Sequence, residues 1–225
     1  TAMPTLDLLC TTDLTQTSNT ALHYALRIAE RADSKISLLH VLSRAEQKEG
    51  VQGEVRRAMI QHVADAGGTE RVQLILKEGD PLATIASESK AEHAMVVMGT
   101  HGPKGLRQNL FGADILKVVR KLAVPALVVQ EGSPLGNDFE RIVMPVAGHA
   151  DIGGLLDAVC VLARLHASEV HVFQLMRPNE QPSEELLRNK LRMLEHLERE
   201  GIRHVAVNEP STVFSVGFAD ATIRY

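Results

Sequence analysis

Hydrophobic residues along this chain form short strand-like segments, some of them unbroken, separated by stretches in which they recur at helical spacing. Unbroken apolar runs are typical of strands that are buried on both faces of a parallel sheet. In the first half of the chain residues 94–98 and 126–129 are such runs, and residues 5–10, 35–42 (which alternates loosely) and 72–76 are the other predicted strands. The helical stretches fall between them, so the predicted order is βαβαβαβαβ. That order predicts a parallel, doubly wound sheet with right-handed crossovers.

Residues with specific backbone preferences mark the ends of the predicted helices. Ser18 is the expected N-cap of the first helix. Asp80 is expected to cap the third helix, with Pro81 in its first position. Gly67 and Gly201 are the expected stops of two other helices. These signals agree with the boundaries that the hydrophobic pattern predicts.

The pattern begins again after a cluster of turn-forming residues at 131–138, which we interpret as a linker. A constant shift along the chain aligns the two halves, placing Ala29 on Ala163, Ile36 on Val170 and Leu38 on Val172. This repeat predicts two domains, 1–132 and 139–225. Nothing after Val216 corresponds to residues 94–129. The expected fold is therefore α/β, with two doubly wound parallel-sheet (Rossmann-like) domains in tandem, the second incomplete.

Composition narrows the classes of partner. Among 225 residues 44% are hydrophobic and only 3% aromatic, so the cores must be aliphatic. A net charge of −4 gives no basic field for nucleic acid, which we exclude as a partner. Cys10 and Cys160 lie in apolar segments and are expected to be small buried residues. No signal peptide or membrane-spanning run is evident, so we expect a cytoplasmic protein without membrane contact.

A glycine-rich segment follows the fourth predicted strand, with Gly99, Gly102, Gly105 and Gly112 before the next helix. Glycine lets a backbone approach a phosphate closely, and the N–H groups of a following helix bind anions. The segment lacks the Gly-Lys-Ser/Thr of a P-loop and is not GxGxxG. The alternative is a strand-to-helix turn whose glycines only relieve backbone strain.

The spacing of Gly99, Gly102 and Gly112 resembles the nucleotide loop of the universal stress protein family, in which two and then nine residues separate three glycines. Other parts of the chain resemble the same family. They are Asp13 after the first strand, the Ala-Leu-x-x-Ala-Leu segment at 21–26, His40-Val41 ending the second strand, and the last strand at 124–129.

This resemblance implies that the first domain binds ATP or a related adenine nucleotide, with Mg²⁺ as a possible companion, in a stress-response or signalling role. In ATP-binding members, the carboxylate matching Asp13 lies near the ribose or a phosphate-bound metal. The main chain near Val41 contacts adenine. Gly99, Gly102 and Gly112 bring backbone N–H groups to the ribose and phosphates.

Three other loop positions affect this expectation. Lys104 could place one positive charge next to a phosphate, or it could be a solvated loop lysine. Gly105 beside it gives the backbone additional conformational freedom. Ala113 replaces the Ser or Thr that the family has after its last glycine. Losing one hydrogen bond to phosphate costs ~1–2 kcal/mol, or roughly tenfold in affinity, so we expect weakened binding.

No catalytic residue and no metal-ligand spacing is evident, so at most slow ATP hydrolysis is expected. A rival hypothesis is a non-catalytic interaction module that has lost its nucleotide, because Ala113 and Ala147 replace polar residues. A third is an enzyme of the wider adenine-nucleotide hydrolase-like group, for which catalytic residues are missing. The resemblance also implies a homodimer paired through the strand at 126–129, an edge that needs covering.

Overall fold

The computed structural model describes residues 6–68, 70–100, 115–130, 132–135, 138–148 and 151–210. The chain divides into two units, Thr1–Gly136 and Asn137–Tyr225. Among the helices in these ranges, none is long and apolar enough to cross a bilayer.

Five parallel strands form the sheet of the first unit. They are β1 (Leu8–Thr11), β2 (Ile36–Leu42), β3 (Val72–Glu78), β4 (Met95–Thr100) and β5 (Ala126–Gln130). Their spatial order is β3-β2-β1-β4-β5, so the chain reverses its direction across the sheet beside β1. Parallel α/β sheets bind ligands at such a switch point, outside the carboxyl ends of the strands. The predicted parallel α/β sheet is confirmed, and its switch point lies next to β1.

Four helices connect these strands in the part of the chain that the structure describes. They are α1 (Gln16–Ala32), α2 (Val51–Asp65), α3 (Pro81–Glu88) and α4 (Ile115–Val119). Asp80 caps α3 as predicted, and its carboxylate accepts a hydrogen bond from the Ala83 N–H at 2.9 Å. The prediction for Ser18 was wrong. Helix α1 begins before it, with Thr15 at the N-cap position, and Ser18 lies buried inside the first turn.

The core of the first unit is aliphatic, as its composition requires. All four residues of β1 are buried, and Leu9 packs with Leu39 and Val96 against α3 and α4. Cys10, the next residue of β1, is also fully buried, and burial raises the pKa of its thiol to about 12. It is therefore an inert apolar side chain at neutral pH. Cys160 is buried in the second unit, as predicted.

In its described residues, the second unit contains three parallel strands in the order β6-β7-β8 and two helices. Its elements are β6 (Arg141–Pro145), α5 (Gly153–His166), β7 (Glu169–Met176), α6 (Glu184–Arg199) and β8 (His204–Pro210). Ser183 caps α6 by accepting the Leu186 N–H at 3.1 Å. After α6, Gly201 adopts a φ of +66°, which suits the predicted glycine stop.

The first two strands of each unit pair in the same register. Leu8 pairs with Ile36 in the first sheet, and Ile142 pairs with Val170 in the second. The backbone hydrogen bond just beyond this strand pair is also the same in both units. Thr12 donates to the Leu39 carbonyl at 2.9 Å, and Val146 donates to the Phe173 carbonyl at 2.8 Å. The shift that aligns the two halves in the sequence therefore also aligns their strand pairing.

Candidate functional site

A cavity of about 220 Å³ lies at the carboxyl ends of β1 and β2. Its wall comes from the end of β1, the end of β2, the turn after β2 and the start of α3. The residues used below are Thr12, Asp13, His40, Val41, Ser43 and Glu46. The structure thus brings together Asp13 and Val41, two of the site residues that the sequence predicts.

Val41 lines this cavity, and its main chain faces the side of β2 on which β1 has ended. Along a parallel strand, the N–H and C=O of one residue face the same neighbour, and successive residues alternate. Lys35 and Leu39 direct their carbonyls to β1, whereas the Ile36 N–H bonds to the β3 side. Val41 shares the orientation of Leu39, but β1 has already ended at Thr11, and no described residue of β1 pairs with it. Among the described residues, no backbone partner is found on this side, so the N–H and C=O of Val41 face the space beyond the end of β1.

The carboxylate of Asp13 organises the start of α1. Its Oδ1 accepts the Thr15 N–H at 3.0 Å and the Ser18 hydroxyl at 2.6 Å. The Ser18 hydroxyl in turn accepts the Asp13 N–H at 3.1 Å. Leu14, between these partners, adopts a left-handed φ of +64°, a conformation that costs a non-glycine residue of order 1 kcal/mol. Asp13 is thus a structural residue of the site, whatever it also does for a ligand.

His62 of α2 lies beside these residues and was not predicted. Its Nε2 is 3.4 Å from the Thr12 hydroxyl, which also accepts the Leu14 N–H at 3.0 Å. Burial lowers the pKa of His62, and the negative charge of Asp13 opposes that effect. A neutral imidazole therefore stands next to the carboxylate at neutral pH.

The lowered pKa of His62 predicts a pH dependence of stability. The unfolded chain protonates this histidine below about pH 6.5, while the folded protein resists protonation. The stabilisation is therefore present above that pH and is lost as the pH falls through the folded-state pKa. We expect His62→Gln to reduce the stability difference between about pH 8 and pH 5 in urea unfolding. An unchanged difference would contradict the burial of a neutral His62.

Gly99 has a packing role that the sequence did not predict. A Cβ at this position would lie 2.9 Å from the carbonyl oxygen of Thr17 and 3.1 Å from its Cγ2. Glycine therefore lets the first turn of α1 lie directly on β4. The remaining predicted loop residues fall outside the described residues, and their roles stay predictions. They are Gly102, Lys104, Gly105, Gly112 and Ala113.

The second unit has its own cavity, of about 460 Å³, at the carboxyl ends of β6 and β7. By strand register, Ala147 stands where the first unit has Asp13, and Gln174 stands where it has His40. The Gln174 side-chain oxygen accepts a bond from the Lys190 ammonium at 2.7 Å. A carboxylate and an imidazole are thus replaced by a methyl group and an amide, so the two cavities differ in chemistry.

Comparison with known proteins gives the family of the chain. A sequence model described as the universal stress protein family matches residues 7–130, more than half of the chain. The chain belongs to the universal stress protein family. A search of curated proteins found no match.

Solved universal stress proteins have the same fold as this chain. A universal stress protein from Archaeoglobus fulgidus DSM 4304 is 18% identical with a TM-score of 0.67, and the alignment covers 93% of this chain and 80% of that one. A functionally unknown protein from Pseudomonas aeruginosa PAO1 is 17% identical with a TM-score of 0.59, covering 91% and 74% respectively. At these identities the likeness concerns the fold alone.

Proposed function

We propose that the first unit of this universal stress protein binds ATP or a related adenine nucleotide in the cavity at the ends of β1 and β2. The observation that carries the proposal is the orientation of the Val41 main chain at the end of β2, where no described residue of β1 pairs with it. Adenine presents an amino donor and a ring-nitrogen acceptor side by side, which complement the carbonyl and N–H of one extended residue. A stress-response or signalling role follows at the level of the family only.

The rest of the nucleotide would extend from Val41 towards Asp13 and β4, along the switch-point edge of the sheet. Two other universal stress proteins were solved in complex with cAMP and with dAMP. In this chain, what supports a nucleotide is the cavity, its position at the sheet edge and the orientation of Val41. The glycines at 102, 105 and 112 and Lys104 are proposed to hold the phosphates.

Magnesium would enter only together with a triphosphate. Within the described ranges, no group of three or more His, Cys, Asp and Glu side chains could hold a metal ion. Mg²⁺ commonly uses one or two carboxylates, substrate phosphates and water rather than a cage of protein ligands. Asp13 is the candidate carboxylate, although its Oδ1 already accepts bonds from Thr15 and Ser18. Binding of AMP should therefore not require the metal.

Mass spectrometry of nucleotide extracted from the purified protein tests the proposal. We expect an adenine nucleotide to be released on denaturation, or millimolar AMP to raise the melting temperature of apo protein by mass action. GMP serves as the control, because its carbonyl and ring N–H do not match the Val41 edge. No extracted nucleotide together with no shift by AMP would contradict the proposal.

The alternative is a protein that acts through its surfaces alone. Strand β5 is an edge of the first sheet, and Val128 on it is 36% exposed. An exposed apolar edge strand favours pairing with another strand, so we propose a homodimer through β5. This dimer could form whether or not the first unit binds a nucleotide.

Light scattering after size exclusion tests the dimer. We expect the mass of two chains for the wild type and of one chain for Val128→Lys, because a lysine on an edge strand opposes pairing. Val205→Lys is the matched control, since Val205 is 41% exposed on β8 of the second unit. A wild-type monomer at about 100 μM would refute the proposed dimer.

The second unit is proposed to be a diverged copy of the first, which makes the protein a tandem universal stress protein. The shared register of β1–β2 and β6–β7 supports this origin. Ala147 and Gln174 remove the carboxylate and the imidazole of the first cavity. We therefore propose that the nucleotide binds in the first unit only.

A further inference from the structure

The cavity of the second unit has mainly apolar walls. Its volume of about 460 Å³ falls within the usual range of small-molecule sites, roughly 300–1,000 Å³. The apolar lining residues come from the ends of β6 and β7, from α6 and from the segment before it; they are Val146, Leu175, Met176, Pro182 and Leu186. The charged lining residues are Arg177 and Glu180, whose Nη1 and Oε2 atoms form an exposed ion pair at 3.6 Å.

The side-chain amide of Gln174 is held in one orientation at this cavity. Gln174 lines the cavity and is 5% exposed. Its Oε1 accepts from the Lys190 ammonium at 2.7 Å, and that ammonium also donates to Oδ1 of Asn208 at 2.8 Å. Since an ammonium can only donate, the amide oxygen must face Lys190 and the NH₂ group must face away from it. Among the described residues, no group accepts a hydrogen bond from this NH₂ group. An acceptor in the cavity would satisfy the buried donor.

The equivalent residue of the first unit, His40, fills the space differently. Its Nδ1 lies 2.9 Å from the carbonyl oxygen of Thr12, so the ring is tied to the end of β1. Gln174 is instead held by Lys190, whose other acceptor, Asn208, lies on β8. Less of the space beyond β6 is therefore filled, which accounts for a cavity of about 460 Å³ where the first unit has about 220 Å³.

The main chain of Leu175 has a defined orientation at the end of β7. The Phe173 carbonyl accepts the Val146 N–H at 2.8 Å, so Phe173 faces β6. Successive residues of a parallel strand alternate between their two neighbours, which gives Leu175 the same orientation as Phe173. Strand β6 pairs with β7 only as far as Pro145, and no described backbone group pairs with Leu175 on this side. Its N–H and C=O therefore face the space beyond the end of β6, one residue along from Gln174.

We propose that this cavity binds an uncharged carboxamide or lactam with an apolar body. The carbonyl oxygen of the ligand accepts from Nε2 of Gln174 and from the N–H of Leu175, one donor for each of its lone pairs. The N–H of the ligand donates to the Leu175 carbonyl, because a carbonyl and an N–H side by side complement the main chain of one extended residue. The apolar body contacts Val146, Met176 and Leu186, which line the cavity.

A phosphate or a carboxylate matches this cavity less well. Arg177 already pairs with Glu180 at the exposed rim, and Lys190 does not belong to the cavity lining. Placing an ionised group between apolar walls without an opposite charge is costly. The ligand class therefore differs from the nucleotide proposed for the first unit, and the inference stands independently of that proposal.

Benzamide, a small carboxamide with an apolar ring, is the probe for this site. In amide NMR of the ¹⁵N-labelled full chain, we expect saturable shifts of the Gln174 side-chain NH₂ and the Leu175 amide. The dissociation constant should be on the order of 1–10 mM for a fragment of this size. Benzoate adds a charge and N,N-dimethylbenzamide lacks the N–H, so each should bind at least roughly tenfold more weakly. No saturable shift at about 50 mM benzamide, or benzoate binding as tightly as benzamide, would overturn the proposal.

Gln174→Glu and Asn208→Asp form a matched pair of variants. Each gives Lys190 a carboxylate as an acceptor, but only Gln174→Glu replaces the NH₂ donor with an oxygen. We expect the affinity for benzamide to fall at least roughly tenfold in Gln174→Glu and to stay within about twofold in Asn208→Asp. Equal affinities in the two variants would contradict the role of Gln174. If Gln174→Glu does not fold, the comparison of the three ligands on the wild type decides.

Discussion

Gly99→Ala is expected to destabilise the first unit by about 1–3 kcal/mol, the usual cost of overpacking a close contact. The added Cβ would lie 2.9 Å from the Thr17 carbonyl oxygen, which is backbone and cannot rotate away. Either α1 moves off β4 or the strand shifts, and both changes disturb the buried centre of the sheet. Urea unfolding followed by circular dichroism measures the loss.

Gly53→Ala is the matched control for this change. Gly53 lies in α2, and a Cβ there would meet nothing within 4 Å. Alanine is a better helix former than glycine, so this variant should gain roughly 0.5–1 kcal/mol. A Gly99→Ala protein as stable as the wild type would show that α1 and β4 are not in close contact.

Asp13→Ala is expected to cost about 1–2 kcal/mol of stability, the usual cost of leaving part-buried hydrogen-bond donors without their acceptor. The methyl group cannot accept the Thr15 N–H and Ser18 hydroxyl, which now bond to Oδ1 of Asp13. Asp13→Asn keeps an acceptor at the same place and removes only the charge, so it should be much closer to the wild type. Thermal unfolding of the three proteins without ligand measures this difference.

The same pair of variants separates structure from ligand binding. Asp13→Ala should also lose most of the stabilisation by AMP, because the wall of the cavity is disturbed. If Asp13→Asn binds AMP like the wild type, the charge is not needed for the nucleotide, and Asp13 acts mainly through α1. Equal stability of all three apo proteins would contradict the structural role assigned to Asp13.

The strands were predictable because a parallel sheet buries both faces of its strands, which leaves unbroken apolar runs. Boundaries were less certain where several polar residues competed to begin a helix. Ser18 has the chemistry of an N-cap, but Asp13 and Thr15 precede it, and the Asp13 carboxylate takes both the Thr15 N–H and the Ser18 hydroxyl. The residue type alone therefore did not show which of the hydroxyl-bearing residues begins the helix.

The site was only partly predictable, because its walls come from distant parts of the chain. Val41 and Asp13 could be assigned from a family pattern at the ends of two predicted strands. His62 reaches Thr12 from a helix far along the chain, and a polar residue on a helix surface carries no spacing signal. Glu46 did have a signal in the sequence, because it follows Ser43 at the spacing of a capping box. The contact between the Glu46 carboxylate and the His40 imidazole could be found only in the structure.

Glycine spacing was the least specific of the signals. Gly99 was predicted to bring the backbone near a phosphate, and it was assigned together with the later glycines. The structure shows a packing reason for it, the contact between α1 and β4. Both requirements exclude a side chain at this position, so the sequence alone could not separate them.

The most direct test of the central claim is a titration of the ¹⁵N-labelled full chain with AMP, followed by amide NMR. The proposed site predicts saturable shifts centred on Val41, with smaller shifts at Thr12 and Asp13, and none at Ala147 or Gln174 in the second unit. An absence of saturable shifts at millimolar AMP, or shifts confined to the second unit, would contradict the nucleotide site proposed for the first.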